Sequence, residues 1–431
     1  MNEVLLSLYA LPLAAVLWLY VRIRCHREGV DATVWRKNLE AGLVEPPSLH
    51  PVFDPTLCMG SGACTKACPE HALGFVDGKA QLVNPTACIG HGACAATCPV
   101  EAIKLVFGTQ RRGIDIPCVK PTFETNVPGI YIAGELGGMG LIRKAAEQGR
   151  QAIESLRKRR ATGNDLDVVI VGAGPAGLSA TLAAMQHKLK FVTLEQEGSL
   201  GGTVYHYPRN KIVMTQPVTL PIVGKMKFGE VSKEGLLAFW QGIVERVSLP
   251  VQYGQRVEKI VPLDTGFEVV TTLAKYRAKS VLLALGRRGT PRKLGVPGEQ
   301  LPKVVYRLLD PEQYCGKHVL VVGGGDAAIE AALSVAEQPG SQVTLSYRGE
   351  VFGRLKQKNR QRLEQAQQAK QLAVVLQSQV LRITKLAVTL KQNTEAITLK
   401  NDVVIVCAGG ILPIPMLKEI GVMVETKRGS A

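Results

Sequence analysis

Aromatic residues make up only 5% of the 431 residues, too few for the stacking platforms that single-stranded nucleic acid needs. Ten cysteines are too few for a disulfide scaffold at this length. No two of them stand at the C-x-x-C spacing of a dithiol redox centre. An H-E-x-x-H zinc motif is missing and no Ser-His-Asp arrangement is visible. The sequence therefore names no catalytic acid, base or nucleophile. Apolar residues reach 46% and charged residues 20%, which supplies real cores and excludes disorder for most of the chain. The 52 Lys and Arg against 36 Asp and Glu leave a net charge of +16. Such an excess suits an anionic membrane face, an acidic partner or nucleic acid. No binding motif accompanies it, so nucleic acid is not expected.

One uncharged run is long. Val4–Val21 holds eighteen residues without a charge, about 27 Å as a helix and just enough for a bilayer core. Glu3 precedes it, and Arg22, Arg24, His26, Arg27, Arg36 and Lys37 follow. That asymmetry places the bulk of the chain on the cytoplasmic side, as expected for a bacterial inner membrane. Trp18 and Tyr20 lie near the basic flank, where such rings favour the interface, and spans tolerate a proline such as Pro12. A cleaved signal peptide has its positive charge before the apolar run, the reverse of this pattern. A buried soluble helix would show a polar face, and this run shows none. The expectation is a single-pass transmembrane anchor over 1–24 and a linker over 25–49.

Six of the ten cysteines fall between Cys58 and Cys98. They belong to two blocks thirty residues apart, DPTLCMGSGACTKACP from Asp54 and NPTACIGHGACAATCP from Asn84. Over residues 50–108 the repeat resembles the bacterial two-cluster ferredoxin, whose C-x2-C-x2-C-x3-C-P motif wraps iron–sulfur cubes and lends its fourth cysteine to the other cluster. The resemblance implies one cluster on Cys58, Cys64 and Cys98 and another on Cys88, Cys94 and Cys68. Both motifs depart from the family at the second ligand, where Ser61 and His91 stand. Either residue completes a four-iron cluster, or three-iron clusters form. A zinc site and a decayed motif are the bland alternatives.

Asp167–Val171 reads as a strand running into Gly172-Ala-Gly174-Pro-Ala-Gly177, a helix, a second strand and Glu195. This is a complete dinucleotide fingerprint. The glycines serve the turn, the approach to the pyrophosphate and helix–strand packing, and the acid serves a ribose. The unit recurs 151 residues later as Gly323-Gly-Gly325-Asp-Ala-Ala328, with Ser346 at the position of Glu195 and Arg348 beyond. Ser346 with Arg348 suits a 2′-phosphate, so NADPH is expected over NADH. Arg354, Lys356, Lys358 and Arg360 either help or form a solvated basic face.

Two such units, with Ala284-Leu-Gly286-Arg-Arg-Gly-Thr-Pro291, Val296-Pro-Gly-Glu299, Cys407-Ala-Gly-Gly-Ile-Leu-Pro413 and Gly201-Gly202, resemble the two-dinucleotide-binding-domain flavoproteins near thioredoxin reductase. Over roughly residues 120–431 the resemblance implies FAD on the first unit and nicotinamide on the second. It also implies a homodimer, the common state of that family. Tyr207-Pro208 and Ser346-Tyr347-Arg348 resemble bacillithiol-disulfide-reductase-like members. Those carry a cysteine in the first glycine loop, where Ala176 stands here, so both known thiol positions are lost. Cys25, Cys118, Cys315 and Cys407 then read as structural, with lipidation open for Cys25. His187 and His206 read as surface or packing residues. The family's closing flavin segment is missing from the C-terminal end. It occurs instead at Thr125–Glu135, with Gly134 and Glu135 facing the flavin and a helix from Leu141. We read this as a circular permutation.

The expected fold class is α/β, with two Rossmann-like domains, a small α+β ferredoxin-like domain and the N-terminal transmembrane helix. The expected boundaries are 50–108 for the clusters, 109–160 for the displaced flavin segment, 161–300 for FAD, 301–400 for NAD(P), and a return to the FAD domain over 401–431. The expected function is electron transfer from NADPH through FAD to the clusters and on to a quinone, cytochrome or soluble carrier, or the reverse. A redox sensor or assembly protein with the same cofactors is the alternative.

Overall fold

The structure is a computed structural model. It describes every residue except 1, 48, 139, 160, 162, 164, 208, 210, 215, 216, 288, 354, 430 and 431, and it gives only the backbone of 2–10 and 214. Two compact units emerge: residues 1–113 with 351–360 and 427–431, and residues 114–350 with 361–426.

In the first unit helix α1 runs Asn2–Glu40. The expected linker is thus helical to residue 40, because the docked half carries polar anchors at helical spacing. Glu28 accepts the Gly78 amide at 2.5 Å and Asp31 accepts the Phe75 amide at 2.9 Å. Asn38 Nδ2 donates to the Val83 carbonyl at 2.8 Å. Gly74 lets Asp31 approach, since a Cβ there would lie 2.5 Å from the Asp31 carboxyl carbon. Among the described residues no helix is long and apolar enough to cross a membrane. That finding does not reach the first turns of the expected anchor. The side chains of residues 4–10, part of the apolar run, lie outside the description, and beyond Val21 the same helix is rich in charge.

The cysteine-bearing fold is two antiparallel pairs. Strand β1 (His50–Phe53) pairs with the later Ile103–Val106, and β2 (Leu73–Val76) with β3 (Lys79–Leu82). Between them lie the short helices Ala63–Ala67 and Ala93–Ala96. The core is built round Cys64, Cys68 and Cys94 with Ala72, Leu73, Ala80 and Ile103.

The second unit carries a mixed sheet with a parallel half and a second, parallel sheet. In the first, β4 (Ile130–Ile132), helix α2 (Ile142–Leu156), β5 (Leu166–Val171), helix α3 (Pro175–Gln186), β6 (Phe191–Leu194) and β7 (Lys275–Leu283) follow in chain order. Parallel pairing runs β6–β5–β7–β4. These strands are apolar on both faces, as parallel strands covered by helices must be, and Ile130, Val169, Ile170 and Leu282 are fully buried. In the second sheet, β8 (His318–Val322), helix α4 (Asp326–Ala336) and β9 (Gln342–Ser346) repeat the order of β5, α3 and β6, and β10 (Val403–Val406) pairs with β8. Residues 403–406, expected in the FAD domain, are therefore a central strand here. Their unbroken Val-Val-Ile-Val run needs cover on both faces.

Candidate cofactor sites

Cys58, Ser61, Cys64 and Cys98 line one cavity. This brings together the three thiols and the odd serine that the sequence assigned to one cluster. Phe53, Ala80, Ala102 and Ile103 supply its apolar wall. The second trio is also assembled: burial pushes the Cys88 thiol up to about 11, and the neighbouring Cys94 and Cys68 thiols add to the rise. Burial likewise raises Cys64 and Cys94. A thiolate in such a place needs a positive partner, which a metal cluster supplies. Backbone amides already point at the sulfurs, with Ala72 donating to Cys68 Sγ at 3.4 Å and Ala102 to Cys98 Sγ at 3.3 Å. Both motif loops use left-handed glycines, Gly60 and Gly62 at φ +68° and +76°, Gly90 and Gly92 at +75° and +78°. His91 is half-buried in the second loop. Among the described residues no three His, Cys, Asp or Glu groups are placed to hold a single metal ion. Cys58, Cys64 and Cys98 surround a cavity instead, and that arrangement fits a multi-iron cluster.

The first nucleotide loop is tightly built. Gly172 has φ +105° and closes against the Ala284 carbonyl, and a Cβ on Gly177 would lie 1.7 Å from the Gly172 carbonyl oxygen. Helix α3 starts at Gly174 with no side-chain cap, so its first amides are free to meet a pyrophosphate. Gly201 donates to the Ala173 carbonyl at 3.0 Å, which brings Gly201 and Gly202 beside Gly174. Glu195 is buried at the end of β6 and accepts the Ala173 and Glu197 amides at 2.8 and 3.0 Å. Burial holds its carboxyl above the ordinary carboxylate range.

The segment from Ile130 to Leu156 packs on this loop. Strand β4 pairs with β7, and α2 packs on α3 so closely that a Cβ on Gly149 would sit 2.0 Å from the Ala176 carbonyl. Gly134 has φ +84° and donates to Gln148 Oε1 at 2.8 Å. Glu135 and Arg287 follow the carboxyl ends of neighbouring parallel strands, where ligands of such sheets bind. The Arg287 amide donates to Glu135 at 3.4 Å, and Arg287 Nη2 donates to the Asp115 carbonyl at 3.1 Å. Arg287 Nη1 is buried with no hydrogen-bond partner among the described residues. Burial raises Glu135 and lowers Arg287. A half-buried guanidinium with an inaccessible, unbonded Nη1 beside a carboxyl suits a polar, anionic cofactor. Nothing in the run Gly286-Arg-Arg-Gly singled out Arg287, because its burial comes from strands distant in sequence.

The second loop repeats the design with differences. Gly323 has φ +150°, Gly325 starts α4 without a side-chain cap, and Ala328 is fully buried. Ser346 is also fully buried, its hydroxyl 2.8 Å from that of Ser378. It is therefore turned into the fold rather than toward a 2′-phosphate, because its strand is paired on both sides and Ser378 meets its hydroxyl. Arg348 is exposed. The Tyr347 ring lies over Gly324, where a Cβ would come within 2.2 Å of it. Arg354 lies outside the described residues. Lys356, Lys358 and Arg360 fall with the first unit, and Arg360 donates to the Phe352 carbonyl at 2.8 Å. His206 and His187 are packing residues: His206 lies beside Arg307 and 3.2 Å from Glu197, and His187 is 2.8 Å from Glu154.

Residues 169–430 match the family model for pyridine nucleotide-disulphide oxidoreductases. The chain belongs to that family. Residues 50–99 match a 4Fe-4S dicluster domain, so by family this is a flavin- and NAD(P)H-dependent oxidoreductase with a ferredoxin-type domain ahead of it. Bacilliredoxin reductase Bdr of Bacillus subtilis is 27% identical over 61% of this chain and 82% of its own. A ferredoxin–NADP reductase of Thermus thermophilus is 30% identical over 61% of this chain and 78% of its own. That of Ignicoccus hospitalis is 33% identical over 43% of this chain, which spans 57% of it. Among solved structures, bacillithiol disulfide reductase Bdr from Bacillus cereus superposes with a TM-score of 0.55 at 26% identity, over 61% of this chain and 83% of its own.

Proposed function

We propose that the protein oxidises NADPH at the second nucleotide unit and passes the electrons through FAD to two iron–sulfur clusters and a one-electron acceptor. The observation that carries this reading is the cavity lined by Cys58, Cys64, Cys98 and Ser61, combined with Ala176 and the missing C-x-x-C at the positions of disulfide chemistry. When bound, FAD accepts a hydride and the clusters carry single electrons. The chain's own residues bind and orient. The amides after Gly174 meet the FAD pyrophosphate, and Glu195 fixes the loop and the ribose end. Glu135 and Arg287 set the polarity at the other end of the flavin site. Gly323, Gly325 and the start of α4 hold the nicotinamide dinucleotide, and exposed Arg348 favours its 2′-phosphate. The six cysteines hold the clusters, with Ser61 and His91 at the odd corners.

Three further readings go with it. The Thr125–Leu156 segment is a circular permutation that puts the cluster domain next in sequence to a flavin-contacting element. The uncharged run with its basic flank attaches the protein to a membrane, with the remainder on the cytoplasmic side. The acceptor is a quinone or an acidic carrier protein, and the protein is a homodimer. Anaerobic purification should yield FAD, iron and acid-labile sulfide, and NADPH should produce the EPR signals of reduced clusters. NADPH turnover with a one-electron dye, and none with disulfides, is expected of the enzyme. Zinc without sulfide, or cofactors that load without turnover, would defeat this function.

A further inference from the structure

The two cysteine motifs differ at one place each, and the first of them is open to view. Among the side chains around the Cys58 cavity, the groups able to bind iron are Cys58, Met59, Ser61, Cys64 and Cys98. Met59 is 67% exposed and offers only a neutral thioether. Gly60, beside Ser61, is in the left-handed region and lies close to the Gly78 carbonyl, where a Cβ would come within 2.9 Å. Lys79 Nζ pins the Cys58 carbonyl at 2.7 Å on the same side. Ser61 itself is exposed, whereas Cys64 is buried. A serine hydroxyl keeps its proton where a thiol begins to lose one, and iron–sulfur clusters prefer soft thiolate.

We infer that Ser61 marks the labile corner of the cluster held by Cys58, Cys64 and Cys98, an iron bound by oxygen, open to water and the first to leave. The inference rests on the cluster reading above. Loss of that iron takes [4Fe–4S]2+ to [3Fe–4S]0 and free Fe2+. All four sulfides and three thiolates stay with the protein. A one-electron oxidant then gives [3Fe–4S]+, so ferricyanide becomes ferrocyanide. The site thus interconverts between four-iron and three-iron forms, set by the supply of ferrous iron.

The test uses the full-length, anaerobically loaded protein, treated with one electron equivalent of ferricyanide and read by EPR, with iron, sulfide and FAD measured on the same sample. Wild type should show the signal of an oxidised three-iron cluster, and added Fe2+ with a reductant should remove it. Ser61→Cys, which supplies a fourth thiolate, should abolish the signal and retain about one more iron per chain. Ser61→Ala should keep the signal at wild-type strength or above, and His91→Cys should leave it unchanged. A signal that survives in Ser61→Cys, or that disappears in His91→Cys or Ser61→Ala while iron and sulfide stay loaded, would overturn the inference. A wild type devoid of iron and sulfide would instead overturn the cluster reading. FAD content in the same sample shows whether a variant has folded.

Discussion

In the first nucleotide unit the strand-to-helix turn is closed by Gly172 at φ +105° and by Gly177, whose Cα faces the Gly172 carbonyl with no room for a methyl. In the second, Gly323 opens the turn at φ +150° and Ala328 closes it with a Cβ that fits. The second strand ends on a buried carboxylate in one unit and a buried hydroxyl in the other. Glu195 reaches back to the Ala173 amide of its own loop, while Ser346 turns away from its loop to Ser378. A further helix, α2, is pressed onto α3 in the first unit alone. A motif shared at an offset of 151 residues therefore has two local designs. One holds its own buried acid against the loop; the other closes with an alanine and places the Tyr347 ring over Gly324.

Substitutions sharpen that contrast. Gly177→Ala should have the largest effect, destabilising by about 1–3 kcal/mol through overpacking and yielding flavin-free protein, which absorbance and thermal melts read directly. Arg348→Ala should raise KM for NADPH about 10–100-fold, the worth of a charge-assisted phosphate contact of about 1.5–3 kcal/mol, while KM for NADH stays the same. An equal rise for both dinucleotides would remove Arg348 from the phosphate site. Ser346→Ala should cost about 1 kcal/mol of stability and leave KM for NADPH unchanged. The smallest structural effect belongs to Ala328→Gly, about 0.5–1 kcal/mol from the helix penalty alone. A pH experiment contrasts the two strand ends. Burial raises the folded-state pKa of Glu195, so in the apo fold its contribution is greatest below the ordinary carboxyl value and is lost as pH rises through the raised one. Glu195→Gln should lack that loss, seen as a smaller fall in Tm with rising pH.

Much of this was legible in the chain. The cysteine spacing, read through its resemblance to two-cluster ferredoxins, predicted that Cys98 joins Cys58 and Cys64 and that Cys68 joins Cys88 and Cys94; the fold places Cys58, Cys64 and Cys98 on one cavity and Cys68 and Cys94 near Cys88. Thr125–Glu135 was recognisable as a strand running into Gly134 and Glu135, and that strand pairs in the first sheet. Other features depended on distant partners. Ser346 looked like a phosphate ligand until its strand neighbours buried it. Arg287 carried no signal, since only the meeting of β4 and β7 encloses it. Residues 25–40 looked like a linker because their charges obscure the helical docking contacts made by Glu28, Asp31 and Asn38.

By itself the sequence determined the local chemistry: which turns need glycine, where thiols cluster, which strands must be covered on both faces. These follow from spacing along a few residues. The tertiary structure decided which groups are buried and which meet. That is why Glu195 guards its own loop, Ser346 leaves its loop, Arg287 stands half-satisfied beside Glu135, and Ser61 faces the cavity of three cysteines from its exposed side. Burial and encounter are set by elements up to hundreds of residues apart, and no window of sequence contains them.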